Sequence, residues 1–167
     1  MKTTKPKPIT TTEIEIAIAT MFGIRKHIIV PNLSWGFVSH ECDLFLIKKS
    51  GYVVEVEIKR SKSDFLADFK KDHLHKERNN KINEFYYAFP IDLVDKCRDL
   101  VPENAGIIIC QRRSYKNRVH ASIERHAKKI KDSRKLTIEE QLKVATLGCM
   151  RIFSLKQKLI DYGKDNV

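Results

Sequence analysis

Several features that define other protein classes are scarce in this chain of 167 residues. Its four cysteines, Cys42, Cys97, Cys110 and Cys149, form no Cys-x-x-Cys pair and have no clustered histidines, which argues against a zinc ribbon and a disulfide framework. No apolar run is long enough to span a bilayer, and the basic N-terminus lacks the apolar stretch of a signal peptide. We therefore expect buried thiols in a cytoplasmic protein that has no membrane partner.

Acidic residues are in deficit, because 21 Asp and Glu face 32 Lys and Arg and leave a net charge of +11. An excess of that size is typical of proteins that bind polyanions, with nucleic acid as the first choice and anionic membrane as the second. Residues 111–135 contribute ten Lys or Arg against Glu124 and Asp132 alone. A chain that is simply basic throughout is the plainer alternative.

The length favours one domain, since a chain of this size can bury a core without disulfides or structural metals. We expect a flexible basic lead-in over residues 1–10 and a single α/β domain over residues 11–163. That domain contains the basic segment 111–135 and a C-terminal helix over 138–161. The long final helix leaves two alternatives open, packing on its own core or on a second subunit in a homodimer.

The periodicity of apolar residues predicts alternating helices and strands, and therefore a mixed α/β arrangement. Thr12 and Glu15 match a capping box for the first helix, Gly23 matches its end, and Thr137 and Glu140 match a capping box for the last helix. Helices are predicted over Thr11–Phe22 and over 92–100. Another helix is predicted to begin after Ser63 as its N-cap, with Phe65, Leu66 and Phe69 on its inner face. Strands are predicted over 27–30 up to Pro31, Cys42–Ile47, 52–59, 85–89, 105–110 and 119–123.

Four carboxylates and a lysine lie within two strand-like apolar runs joined by a short Lys-Lys-Ser-Gly turn, in HECDLFLIKKSGYVVEVEIK. Because side chains alternate along a strand, Glu55, Glu57 and Lys59 share one face of the second run. Glu41 and Asp43 share one face of the first run, so a hairpin brings Asp43 toward Glu57. The plainer alternative is a solvated outer face on which acids and lysines pair across strands.

The chemistry of this cluster points to a divalent cation. Two carboxylates a few ångströms apart repel unless a positive charge lies between them, and such oxygen ligands suit Mg²⁺ or Mn²⁺. A neighbouring lysine can orient or deprotonate a water, or neutralise charge that develops on a scissile phosphate. The pattern therefore favours metal-assisted phosphodiester hydrolysis. His40 borders Glu41 and is interpreted as a residue at the edge of the hairpin, with a contact to the site as the alternative.

Asp43, followed after thirteen residues by Glu57-Ile58-Lys59, resembles the acid and E-x-K signature of the PD-(D/E)xK nuclease superfamily. The continuation VEVEIKRSKSDFLADFKKDHLHKERNNKINEFYYAFP, with VPENAGIIIC downstream, is similar to the MmcB-like branch of bacterial and phage proteins associated with DNA repair. The resemblance covers roughly residues 11–111. It implies a restriction-endonuclease-like α/β core in which a central mixed β-sheet is flanked by helices.

The resemblance also implies roles for four residues. Asp43 and Glu57 would ligate the metal together with the Ile58 carbonyl, and Lys59 would be the catalytic lysine. The predicted function is that of an Mg²⁺- or Mn²⁺-dependent endonuclease or exonuclease in DNA repair, recombination or phage DNA processing. A non-catalytic nucleic-acid-binding protein on the same fold is the alternative.

An acid on the first helix often completes such sites in the superfamily. Glu13 and Glu15 are the candidates, and Glu13 is our choice because the predicted capping box already uses Glu15. Glu41 and Glu55 lie on the same strand faces as the principal acids and are candidate auxiliary ligands. Cys42 precedes Asp43 where the signature usually has proline, a departure that leaves the metal chemistry intact.

The basic segments are the candidate nucleic-acid interface, because dense Lys and Arg neutralise phosphates without sequence readout. Trp35 and Tyr115 are candidates for base stacking, with a packing role as the alternative for each. Composition does not distinguish DNA from RNA as the partner. The candidate phosphate-binding residues are Arg60, Lys62, Lys70, Lys71, Lys76, Arg78, Arg112, Arg113, Lys116 and Arg118.

Overall fold

The computed structural model describes residues 7–34, 37–38, 40–69, 80–113 and 117–164. Six strands form one sheet and follow one another in chain order across it. Strands β3, β4 and β5 run parallel, and the other neighbouring pairs are antiparallel. The strands are β1 Ile28–Leu33, β2 Cys42–Ile47, β3 Val53–Ile58, β4 Ile82–Pro90, β5 Gly106–Arg113 and β6 Arg118–Arg125.

Four helices flank the sheet among the described residues, so the predicted α/β class with a central mixed sheet is confirmed. None of these helices is both long and apolar enough to cross a membrane. The four are α1 Thr11–Phe22, α2 Lys62–Phe69, α3 Ile91–Cys97, which continues into a 3₁₀ turn at Arg98–Leu100, and α4 Ile138–Lys164.

Both faces of the sheet are covered, which is why β3 is buried along its whole length. Helix α1 packs Ile14 and Ile18 on the face that carries Val54 and Val56. Helices α2, α3 and α4 lie on the opposite face, where the apolar side chains form two separate clusters. One cluster gathers around Phe45 beside α4, and the other gathers around aromatic residues of β4 beneath α2 and α3.

The β2–β3 connection is a tight hairpin, as the Lys-Lys-Ser-Gly turn predicted. Gly51 adopts φ 85°, a left-handed backbone conformation that L side chains avoid. Its N–H donates to the Lys48 carbonyl at 2.8 Å, and the Lys48 N–H donates to the Tyr52 carbonyl at 2.8 Å. The turn fixes the register in which Leu44 faces Val56.

The start of α1 differs from the prediction. Thr10 is the N-cap, and its Oγ1 accepts from the Glu13 N–H at 3.2 Å while Glu13 Oε2 accepts from the Thr10 N–H at 2.9 Å. The predicted box of Thr12 and Glu15 was therefore wrong. Three threonines stand in a row here and each can cap a helix, so the sequence did not select among them. The end at Gly23 and the second capping box were correct.

Further boundaries also differ, since β4 begins at Ile82 rather than at 85 and β5 continues to Arg113 rather than ending at 110. Strand β1 continues through Pro31, because it lies at the edge of the sheet, where a missing N–H is tolerated. Ser61 rather than Ser63 caps α2, with its Oγ accepting from the Asp64 N–H at 3.1 Å. Of the residues predicted to face inward, Phe65 is buried, whereas Leu66 is exposed and its prediction was wrong. The side chain of Phe69 lies outside the described part of the structure.

Three of the four cysteines are buried, as expected, and all four are free thiols. Cys149 is exposed on α4. The predicted lead-in of residues 1–10 lies mostly outside the described part of the chain, and α1 begins at the predicted Thr11. The basic segment 111–135 contains the end of β5, all of β6 and the irregular approach to α4.

Candidate functional site

The charged residues of β3, and Lys59 directly after it, are buried rather than solvated. Glu55 is 1% exposed, Glu57 is 7% exposed and Lys59 is 5% exposed. They lie on the face that carries the two separate apolar clusters, with Phe45 opposite Glu55 on β2 and Tyr87 opposite Glu57 on β4. A solvated outer face is therefore excluded, and each buried charge requires a partner.

Asp43 lies across from Glu57, because the observed β2–β3 register continues to that pair. Its Oδ2 accepts a hydrogen bond from the backbone N–H of Ile58 at 2.7 Å. Burial raises the pKa of Asp43, against the opposing effects of that hydrogen bond and of Lys59. Burial first, and then the charge of Asp43, raises the pKa of Glu57 to about 8. The two carboxylates therefore interact, as the hairpin predicted.

Lys59 is held between two buried acids. Its Nζ lies 3.2 Å from Glu57 Oε2 and 3.1 Å from Oδ1 of Asp68, which is buried on α2. Burial alone lowers the pKa of Lys59, but the charges of Glu57 and Asp68 outweigh it, so the pKa lies above its usual value. The ammonium form is therefore the stable one, and Lys59 acts as a fixed positive charge.

A histidine joins the opposite side of the cluster. His40 Nε2 lies 2.5 Å from Glu55 Oε1, at hydrogen-bond distance. Glu55 Oε2 and Glu57 Oε1 are buried and have no hydrogen-bond partner among the described residues. One ligand atom from each of His40, Glu55 and Glu57 lies within 4.8 Å of the other two. The predicted auxiliary acid Glu55 is thus part of the cluster, whereas Glu41 is exposed to solvent.

The acid that α1 directs toward Asp43 is Glu15 rather than Glu13. Burial, and then the charge of Asp43, raises the pKa of half-buried Glu15, while a hydrogen bond from the Asn32 side chain lowers it. Glu13 is instead bound by Arg112 at 2.8 and 2.9 Å, and this contact, together with Thr10, lowers the pKa of Glu13 to about 2. Glu13 was chosen because Glu15 was thought to form the capping box. The structure places Glu13 in that box, which leaves Glu15 to face Asp43.

Exposed basic residues lie at the same end of the sheet as these acids. The parallel strands β3, β4 and β5 all finish at this end, and β2 begins there. Arg60 and Lys62 come just after β3, and Arg113 and Arg118 pair with each other at the end of β5 and the start of β6. We call these four residues the basic rim.

Other basic candidates either have partners within the protein or lie outside the described residues. Arg112 binds Glu13 in a two-pronged ion pair through its two terminal nitrogens, so these nitrogens are already engaged within the protein. Arg125 donates hydrogen bonds to the carbonyls of Ala105, Val101 and Pro102, which connect β6 to the loop before β5. Lys70, Lys71, Lys76, Arg78 and Lys116 lie outside the described residues, as do Trp35 and Tyr115.

Asp68 was not recognised from the sequence, whereas Glu15 was assigned to the capping box and His40 to the edge of the hairpin. Asp68 stands three positions after buried Phe65, so helical spacing alone places it on the inner face of α2. Glu15 stands three positions before the inward-facing Ile18, so helical spacing places it near the inner face of α1. His40 gave no such signal, because the loop that delivers it has no periodicity.

No family model matches this chain, and no curated protein matches it. Among solved structures, the chain is similar to a protein of unknown function from Silicibacter pomeroyi. The two share 17% identity, and the match covers 96% of each chain with a TM-score of 0.61. This likeness supports the α/β fold over nearly the whole chain.

Proposed function

We propose that this chain is a divalent-metal-dependent nuclease of the PD-(D/E)xK type that hydrolyses phosphodiester bonds in DNA. One observation carries the proposal. Strand β3 buries two carboxyl groups next to the half-buried Asp43, and each has an oxygen with no hydrogen-bond partner in the described part of the chain. A buried carboxyl oxygen without a hydrogen-bond partner is costly in a protein interior even where the other oxygen is engaged, so these two oxygens favour a bound cation.

The donor set fits Mg²⁺ or Mn²⁺. Asp43 and Glu57 would hold the ion, with the Ile58 carbonyl, between Glu57 and Lys59, as a further oxygen ligand. A bound divalent ion would lower the pKa of a water molecule and offset charge on a scissile phosphate. Glu15 is the acid from α1 that would support the site, in place of Glu13.

Lys59 is suited to electrostatic stabilisation rather than to removing a proton. Its contacts with Glu57 and Asp68 favour the charged amine and hold it in one position. A preorganised positive charge beside the metal ligands stabilises negative charge that develops on a phosphate in the transition state. Asp68 is then a positioning residue, because it acts through Lys59.

The basic rim supports a polyanionic substrate. Arg60, Lys62, Arg113 and Arg118 are exposed at the end of the sheet where the carboxylates lie. Each phosphate contact of this kind adds affinity that falls with salt concentration and carries no sequence preference. The resemblance to repair-associated proteins favours DNA over RNA and a role in repair, recombination or phage DNA processing.

The test is cleavage by the purified full chain of single-stranded, duplex, flapped and branched DNA, with matched RNAs, in Mg²⁺ or Mn²⁺. Asp43→Asn is the sharpest variant, because an amide oxygen can still accept from the Ile58 N–H while the charge is lost. We expect cleavage to fall by about 10³-fold or more, with DNA binding retained. Lys59→Ala is expected to give the same split between cleavage and binding.

The matched control is Asp95→Asn, which removes an 84% exposed carboxylate on α3. It is expected to cleave as the wild type does. Binding without cleavage in every metal would overturn the proposal and support a non-catalytic DNA-binding protein. An Asp43→Asn protein that remains folded by circular dichroism and cleaves normally would also overturn it.

A further inference from the structure

A histidine faces the buried carboxylates, and the proposed nuclease chemistry does not use it. His40 offers a nitrogen ligand, and Glu55 and Glu57 each offer an oxygen ligand, all within 4.8 Å of one another. Both acids are at least nine-tenths buried, and each has one oxygen without a hydrogen-bond partner among the described residues. These unpaired oxygens are a second observation, independent of the spacing, that points to a cation.

We propose that His40, Glu55 and Glu57 form a mixed nitrogen and oxygen site for a first-row transition-metal ion, such as Mn²⁺, Co²⁺ or Zn²⁺. Imidazole nitrogen suits these ions, whereas Mg²⁺ selects oxygen ligands and keeps several waters. The site therefore discriminates against Mg²⁺. Glu57 belongs both to the pair with Asp43 and to the pair with Glu55, so this site extends the proposed function. Only the assignment of the bound ion to catalysis rests on that proposal.

The three side chains are already arranged much like a set of metal ligands. His40 and Glu55 share one hydrogen bond, which metal entry replaces with a bond from each side chain to the ion. Glu57 has one oxygen on Lys59 and the other unpaired, so it can bind the ion without releasing the lysine. The loop before β2 delivers the histidine, and β3 supplies the two acids from alternate positions on one face.

The experiment uses the full chain stripped with chelator and then loaded with Co²⁺ or Mn²⁺. Wild-type protein is expected to develop visible Co²⁺ absorption and to show nitrogen coupling to bound Mn²⁺ in pulsed electron paramagnetic resonance. His40→Gln is expected to remove the nitrogen coupling and to weaken Co²⁺ binding by about tenfold or more. Glu55→Gln is expected to weaken Co²⁺ binding similarly, because it removes the charge and keeps the shape.

His120→Gln is the matched control, because this histidine is exposed on β6 at the far side of the sheet. It is expected to bind Co²⁺ as the wild type does. Wild-type protein whose bound Mn²⁺ shows no nitrogen coupling would overturn the inference, and this measurement needs no variant to fold. Unchanged Co²⁺ binding by folded His40→Gln protein would overturn it equally.

The outcomes separate this inference from the proposed function. His40-dependent nitrogen coupling in a protein that cleaves no nucleic acid would support the metal site and overturn the nuclease. Asp43-dependent cleavage in Mg²⁺ without any nitrogen coupling would support the nuclease and overturn the transition-metal site.

Discussion

Strand β3 buries charged side chains, whereas the distal part of helix α4 exposes apolar ones. Glu55 and Glu57 are almost inaccessible, while Leu155, Leu159 and Tyr162 are 59%, 71% and 72% exposed. Both elements depart from the usual distribution of residues, in opposite directions. The difference arises because other elements cover β3 on both faces, whereas none of the described elements covers the distal part of α4.

Strand β3 is third of six strands and has helices over both faces, so whatever its sequence places there is removed from water. Helix α4 has 27 residues and extends about 40 Å, about twice the length of the six-residue strand β1 on which it packs. Val144 lies over the sheet and is fully buried, but the second half of the helix extends beyond it. Position relative to the sheet, rather than residue type, decides burial in both elements.

The largest expected effect tests whether the buried charge of β3 serves the proposed chemistry. Glu57→Gln removes a metal ligand while preserving side-chain shape, and DNA cleavage is expected to fall by about 10³-fold or more. Initial rates over a range of Mg²⁺ concentrations measure the loss. Glu139→Gln, an exposed acid on α4, is the control and should retain wild-type rates. If Glu57→Gln protein cleaves DNA at a rate within about threefold of wild type, Glu57 is not a ligand of the catalytic metal.

The second prediction concerns the stability that Lys59 provides. Lys59→Met removes the amine that the buried acids Glu57 and Asp68 share, and is expected to lower the free energy of unfolding by about 3 kcal/mol at neutral pH. Urea denaturation in chelator measures the change. The exposed Lys62→Met should stay within about 0.5 kcal/mol of wild type. Equal effects of the two substitutions would mean that the buried ion pairs contribute little.

The third prediction follows from the raised pKa of Glu57. Its pKa is about 8 in the metal-free protein, so below that pH a proton competes with the metal. Mn²⁺ affinity is expected to rise about tenfold per pH unit up to about pH 8 and then to level off. Calorimetry in two buffers of different ionisation enthalpy should detect the released proton. Affinity independent of pH across this range would contradict the assignment of Glu57 as a buried, protonated ligand.

The same pKa gives a check on stability without metal. Because folding raises the pKa of Glu57 from 4.5 to about 8, the folded state retains a proton that the unfolded state loses. Stability in chelator is therefore expected to fall as pH rises between those two values. Glu57→Gln should show a weaker decline. A wild-type protein with the same pH dependence as the variant would contradict the sign of this shift.

The smallest expected effect concerns the exposed end of α4. Leu159→Gln is expected to change the free energy of unfolding by less than about 0.5 kcal/mol, since the side chain contacts mostly solvent. Val144→Ala on the same helix is expected to cost about 1–2 kcal/mol, because it leaves a cavity against the sheet. Denaturation at low and high protein concentration measures both changes. A large, concentration-dependent loss for Leu159→Gln would show that this end of the helix lies in a subunit interface.

The sequence predicted the elements of the sheet well because their signals are local. Alternation placed Glu55, Glu57 and Lys59 on one face, and the Gly51 turn set the hairpin that brings Asp43 toward Glu57. Errors arose where neighbouring residues offered equivalent local choices, as with the caps of α1 and α2. The nuclease assignment itself stays a prediction.

What the sequence determined by itself is the pattern along each strand and helix, together with a positive charge suited to a polyanion. Only the tertiary structure decided that the charged face of β3 is buried, that His40 and Asp68 converge on it, and that Glu13 binds Arg112 while Glu15 approaches Asp43. The physical reason is the distance along the sequence between the residues that interact. Alternation and capping depend on residues a few positions apart, whereas burial and charge pairing depend on elements that meet only after the chain has folded.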